Sequence, residues 1–160
     1  MLARPPVDDT GLHASTLLTD RRVVGLPSWH RLAAQREVSL ADLADEPVVT
    51  GAGAPTALND FWTVNPRPDG RAPVPGPAVR NNDEMLVHVA LGHAVCIAAA
   101  TVAEHHSSTE VVFRPITDLA PFPLLLLTTT GPRRPEIDAF IELCHAVARE
   151  TTTNAAAKGP

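Results

Sequence analysis

Histidines, cysteines and amides supply most of the groups in this chain that could do chemistry. His93 and Cys96 lie three apart, Glu104, His105 and His106 are consecutive, and Cys144 precedes His145. Imidazole, thiolate and carboxylate are zinc ligands, but a zinc site is normally built from two close-spaced pairs. Here His93 falls at the end of a helix and Cys96 at the start of a strand, so their side chains need not converge, and no metal centre is expected. Ser28-Trp29-His30 sets a hydroxyl near an imidazole without the Gly-x-Ser-x-Gly elbow that would expose a nucleophile. Gly51-Ala52-Gly53 lacks the third glycine and the downstream lysine of a phosphate loop. The expectation is a protein that is not an enzyme and carries no cofactor.

Binding chemistry has two candidate places. Thr50-Gly51-Ala52-Gly53 follows a short apolar strand and precedes a helix starting near Thr56, so Thr50, Gly51 and nearby backbone N–H groups could hold a carboxylate. Asn81 and Asn82 lie between the strand Ala78-Val79 and the next helix, where their amides could contact a small polar ligand. The bland alternatives are a plain loop and a plain helix cap, with Asn82 as the expected N-cap.

These residues need elements to position them. Asp83 and Glu84 suit the first turn of a helix in which Met85, Leu86, Val89 and Ala90 recur at helical spacing. Gly92 sits where a left-handed C-cap is required, and the strand Ala94 to Ala98 follows directly. Further strands are predicted at Ser15–Leu18, Arg22–Leu26, Val48–Thr50, Val111–Ile116 and Pro123–Thr129. Short helices are predicted at Leu40–Leu43, Thr56–Trp62 and Thr101–Glu104. Residues 65–77 hold five prolines and two glycines and read as irregular. Pro135 opens a last helix over 136–149 on the periodic positions Ile137, Phe140, Ile141, Cys144, Val147 and Ala148. Thr151 to Pro160 reads as a frayed polar tail.

Strands alternating with helices predict an α/β fold with a mostly parallel sheet. Leu124-Leu125-Leu126-Leu127 has no polar alternation, as in a strand buried on both faces. The apolar face of the helix over 136–149 can cover one side only, so an exposed apolar patch and an unpaired sheet edge are expected.

Composition bounds the partners. With 160 residues, 44% hydrophobic and 19% charged, the chain is globular. A net charge of −5, with arginines scattered and never striped, argues against a nucleic-acid surface. No apolar run is long enough to span a membrane, and no signal peptide core is visible. Cys96 and Cys144, both at apolar periodic positions, read as buried free thiols, which suits the cytoplasm. Trp29 is expected to pack in or at the edge of the core.

The order of these segments resembles the effector-binding domain of LysR-type transcriptional regulators. Val23-Val24-Gly25-Leu26-Pro27 with His30-Arg31-Leu32-Ala33 is similar to that family's strand and His-Pro-Leu-Ala turn, with Arg31 in place of the proline. Val38 to Val49, Asp69-Gly70-Arg71 to Arg80, the helix ending at Gly92-His93-Ala94, and Val111 to Ile116 follow in the family's order. The family usually has Gly-x-Gly at that helix end and a proline where Ala99 stands.

The resemblance implies a periplasmic-binding-protein-like (type 2) fold, with subdomain two nearly complete and subdomain one partial. Residues 1–19 and 106–150 would belong to subdomain one, 20–105 to subdomain two, and 151–160 to a flexible tail. It implies a truncated regulatory domain that binds a small organic acid or metabolite, with Thr50, Gly51, Asn81 and Asn82 at the effector cleft. Dimerisation, or pairing with a full-length regulator, would use the helix around Asp83 to Leu91. DNA would be read only by an N-terminal domain absent from this chain. The alternative is a stand-alone small-molecule or partner-binding module of the same fold without a transcriptional role.

Overall fold

The computed structural model describes residues 1–106 and 108–157, with side chains as far as Thr151. Its elements are β1 (Leu2–Ala3), β2 (Leu12–Asp20), β3 (Arg22–Pro27), β4 (Pro47–Gly51), α1 (Thr56–Thr63), β5 (Val74–Val79) and α2 (Asn82–Ala90). There follow β6 (Cys96–Ala99), α3 (Ala100–Glu104), β7 (Val111–Pro115), β8 (Phe122–Thr129) and α4 (Pro135–Ala157). A single 3-10 turn covers Ala41–Leu43. The chain divides into two compact units: residues 1–20 with 122–160, and residues 21–121.

In the second unit β3 is the middle strand, antiparallel to β6 on one side and to β7 on the other. β4 and β5 pair in parallel, and Val48 bridges in parallel to Val95, just ahead of β6. Successive strand residues point to opposite faces, so buried residues sort into two cores. Val24, Leu26, Val48, Val95 and Ile97 join Leu32, Val38, Leu40 and Leu43 in one. Val49, Val79, Ala94, Cys96 and Val111 join Met85, Leu86 and Val89 of α2 in the other. β3 is buried along its whole length because both faces are covered. Gly25 is the one position of β3 without a side chain to pack, and a Cβ there would lie 2.6 Å from the Cys96 Sγ.

In the first unit β8 is central, flanked by β1 and β2, both antiparallel to it. The last residue of β2, Asp20, pairs with the first of β8, Phe122, so residues 21–121 leave from and return to one cross-strand pair. Asp20 is buried and accepts a hydrogen bond from Arg4 at 3.0 Å. Among the described side chains of α4 only Ala148 is buried, and the His145 and Ser15 side chains meet at 3.2 Å.

Several expectations change. The strands pair mostly antiparallel, because the chain comes back to β3 from far along the sequence and lays both β6 and β7 against it in the opposite direction; β4 and β5 keep the parallel relation, as do the isolated bridges Val48–Val95 and Val38–Ile116. The proline-rich stretch contains a strand, β5, since proline is tolerated on a sheet edge and β5 pairs only with β4. Gly76 is required there, as a Cβ would lie 2.7 Å from the Val48 carbonyl oxygen. The leucine run is not an edge, for β1 and β2 pair both its sides. The expected apolar exposure is present, with Phe140 and Leu143 each 59% and Val147 53% exposed. These residues rim a groove of about 320 Å³ with Leu2, Leu17 and Leu124. Residues 151–157 continue α4 in place of a frayed tail, and 158–160 lie outside the described residues. Trp29 is 68% exposed, and Cys144 is only half-buried.

Candidate functional site

The parallel pairing of β4 with β5 sets two strand ends side by side. Thr50 pairs with Ala78 and Gly51 with Val79, so the chain leaves both carboxyl ends at the same level. From β4 it passes through Ala52 to Pro55 into α1; from β5 it passes through Arg80 and Asn81 into α2. Thr50 and Gly51 are thereby brought close in the fold to Asn81 and Asn82, with two helix N-termini opening beyond the same strand ends. Helix N-termini carry unpaired N–H groups and a partial positive charge, which suits anionic or carbonyl oxygens.

The four residues have different roles. The Gly51 N–H donates to Asn59 Oδ1 at 2.7 Å, and Asn59 Nδ2 donates to the Gly51 carbonyl at 3.2 Å. The Ala52 N–H donates to the Val79 carbonyl at 2.7 Å, which ties the loop to β5. Gly51 is therefore structural in its own N–H, and a Cβ there would meet that of Ala54 at 2.9 Å. The Thr50 hydroxyl makes no hydrogen bond to another described residue.

Asn81, not Asn82, is the N-cap of α2. Its φ and ψ are extended, and its Oδ1 accepts from the Glu84 N–H at 2.8 Å. Glu84 answers by accepting from the Arg80 N–H at 2.8 Å, a variant of the reciprocal cap. The sequence offers two adjacent asparagines, and residue type alone could not say which would cap. Asn82 is left as the first helical residue, exposed, with its amide engaged by no other described residue. The Arg80 guanidinium beside it is exposed as well.

Sequence reasoning missed two features. Asn59, on the second turn of α1, is the clamp of the β4 loop, and an asparagine in mid-helix gives little warning of that. Arg67 is 5% exposed beside a cavity of about 110 Å³ lined also by Leu40, Asp69, Arg71 and Asp118. Its Nη1 donates to the Leu40 carbonyl at 3.1 Å, while Nε and Nη2 have no partner among the described residues. Burial lowers its pKa from the usual arginine range.

The other candidate groups disperse. Among the described residues no three His, Cys, Asp or Glu side chains could share a metal ion. Cys96 is fully buried and desolvation pushes its thiol up to about 12, so it is no nucleophile. His30 lies 3.3 Å from Glu46 and its Nδ1 accepts from the Leu32 N–H, which engages it away from Ser28. Among the described residues no helix is long and apolar enough to cross a membrane.

Comparison with known proteins agrees with this architecture. Residues 1–149 match the LysR substrate binding domain. The HTH-type transcriptional regulator AlsR of Bacillus subtilis (strain 168) is 36% identical over 62 residues, 38% of this chain and 20% of AlsR. A variant of full-length BenM superposes with a TM-score of 0.82 at 19% identity, covering 94% of this chain and 51% of that one. The BenM effector binding domain with its effector benzoate gives 0.79 at 18% identity, covering 99% and 71%. The chain thus spans about half the length of full-length BenM. By its family match, and with a mixed α/β fold that superposes on those of its structural neighbours, the chain belongs to the LysR substrate binding domain family and is an effector-binding domain of the LysR type.

Proposed function

We propose that the carboxyl ends of β4 and β5 form half of a small-molecule effector site, and that the ligand is a small organic acid or related metabolite, bound and not turned over. One observation carries this reading. The parallel β4–β5 pair sets Thr50, the approach to Asn82 and two helix N-termini beyond neighbouring strand ends, with neither the Thr50 nor the Asn82 side chain engaged by another described residue. Those are hydrogen-bond donors for a carboxylate. Ligand binding would shift the population of domain conformations, and DNA would be read by a separate N-terminal domain. A homodimer, or pairing with a full-length regulator, would use α2, where Val87 is 56% and Leu91 61% exposed.

Benzoate and a panel of small carboxylates should be titrated by calorimetry against the wild type, Thr50→Ala and Asn82→Ala. The reading expects one carboxylate to bind, with at least tenfold loss in each variant. Binding unaffected by both substitutions would remove these residues from the site. Sedimentation of wild type and Leu91→Glu tests the α2 contact.

A further inference from the structure

The C-terminal end of α2 holds a pair of histidines that the effector reading does not use. Leu91 caps the helix and Gly92 follows in the left-handed conformation at φ 72°. The Gly92 N–H donates to the Val89 carbonyl at 2.9 Å and the His93 N–H to the His88 carbonyl at 3.0 Å. Those two bonds are the Schellman motif, which brings the side chains at its two ends into contact, usually as an apolar pair. Here both ends are imidazoles. The His88 and His93 Nδ1 atoms are 3.1 Å apart, the rings 5.3 Å between centroids and tilted by 51°.

We propose that His88 and His93 form a chelating site for a late divalent transition-metal ion. With metal–nitrogen bonds of about 2.05 Å, a 3.1 Å separation subtends about 98° at the metal. That angle suits two cis positions of a tetragonal or octahedral ion, and imidazole is a preferred ligand of copper, nickel and zinc. The backbone bonds of the cap fix both Cα positions before the ion arrives, so little ordering remains to oppose binding. The negative end of the α2 dipole lies at the same place and favours a cation. His93 is exposed and His88 half-buried, so an ion has access. Among the described residues no third His, Cys, Asp or Glu completes the set, which leaves the other positions to water.

The neighbouring indole gives the site a built-in reporter. A Cβ on Gly92 would lie 2.5 Å from a Trp29 ring carbon, so the indole rests directly on the cap. Paramagnetic Cu(II) bound between the histidines therefore quenches Trp29 fluorescence. The test titrates CuCl2 into the chain carrying Trp62→Phe, which leaves Trp29 as the only emitter, with calorimetry in parallel. His88→Ala and His93→Ala are each compared with the double variant, and circular dichroism confirms that each folds. Chelation predicts at least tenfold weaker Cu(II) binding and loss of Trp29 quenching in each single variant, with the double variant no worse than either. Wild-type affinity or wild-type quenching in either single variant overturns the site. The outcome is independent of whether the chain binds a carboxylate.

Discussion

Asn59 grips the Gly51 peptide from both sides, accepting its N–H at 2.7 Å and donating to its carbonyl at 3.2 Å. One side chain on α1 thereby sets the conformation of the loop that leaves β4, and with it the aim of Thr50. Asn59→Ala removes both bonds and leaves a part-buried peptide group unsatisfied. It should destabilise the protein by about 1–2 kcal/mol in urea unfolding. It should also weaken carboxylate binding although Asn59 itself touches no ligand; unchanged affinity in a folded Asn59→Ala variant would detach the loop from the site.

The neighbouring asparagines should behave differently. Asn81→Ala deletes the N-cap and should cost about 1 kcal/mol of stability. Asn82→Ala should be close to neutral in unfolding yet weaken ligand binding. Equal stability losses at the two positions would contradict the cap assignment.

Cys96 should make stability depend on pH in the alkaline range. Its folded thiol titrates at about 12, raised from 9.0 chiefly by desolvation. Above pH 9 the unfolded chain releases a proton that the folded chain keeps, so stability falls as pH rises from about 9 toward 12. The expected slope is about 1.4 kcal/mol per pH unit beyond that of Cys96→Ala. Urea melts of both proteins from pH 8 to 11 should diverge in slope; parallel curves would show that Cys96 is not sealed.

Arg67 is a buried cation whose Nε and Nη2 have no partner among the described residues. Taking such a charge out of water costs several kcal/mol, a penalty that an apolar side chain of similar length does not carry. Arg67→Met should therefore keep or raise the melting temperature. A loss of several degrees would mean that the guanidinium has partners in solution that compensate its burial.

Gly92 should not tolerate a side chain. Gly92→Ala demands φ near 72° of an L residue and drives its Cβ into Trp29. A loss of at least about 1 kcal/mol is expected, with a shift in Trp29 emission as the ring is displaced. An unshifted spectrum would place the indole elsewhere.

Legibility in the sequence followed the range of the interactions. α2 was readable because its apolar spacing, first-turn acids and Gly92 are all local signals, and its cap geometry at Gly92 agrees with the expectation. α4 was readable for the same reason up to residue 149, but threonine and asparagine propensities concealed its continuation to Ala157. The strand at Ala78-Val79 was readable, but its start from Val74 was hidden because prolines usually end strands; the place of β5 on an edge beside β4 is a tertiary fact. The antiparallel pairing of β3 could not be seen either, since alternation of elements does not give strand direction. At the candidate site the strand–loop–helix order exposed Thr50, Gly51, Asn81 and Asn82 as neighbours of strand ends. Which of them are held by the protein's own hydrogen bonds depended on Asn59 and Glu84, and those bonds leave no pattern.

The Asp20–Phe122 pair bears on the order in which the molecule assembles. Every β2–β8 contact joins residues about a hundred positions apart, and closing so long a loop in a flexible chain is entropically opposed. Once residues 21–121 have folded, their two ends are short-circuited: Ile116 already donates to the Arg22 carbonyl at 3.1 Å. β8 then nucleates on β2 as if the two were joined by a brief turn. A nascent chain would accordingly acquire its contiguous unit first and its discontinuous one last, after the ribosome has released α4.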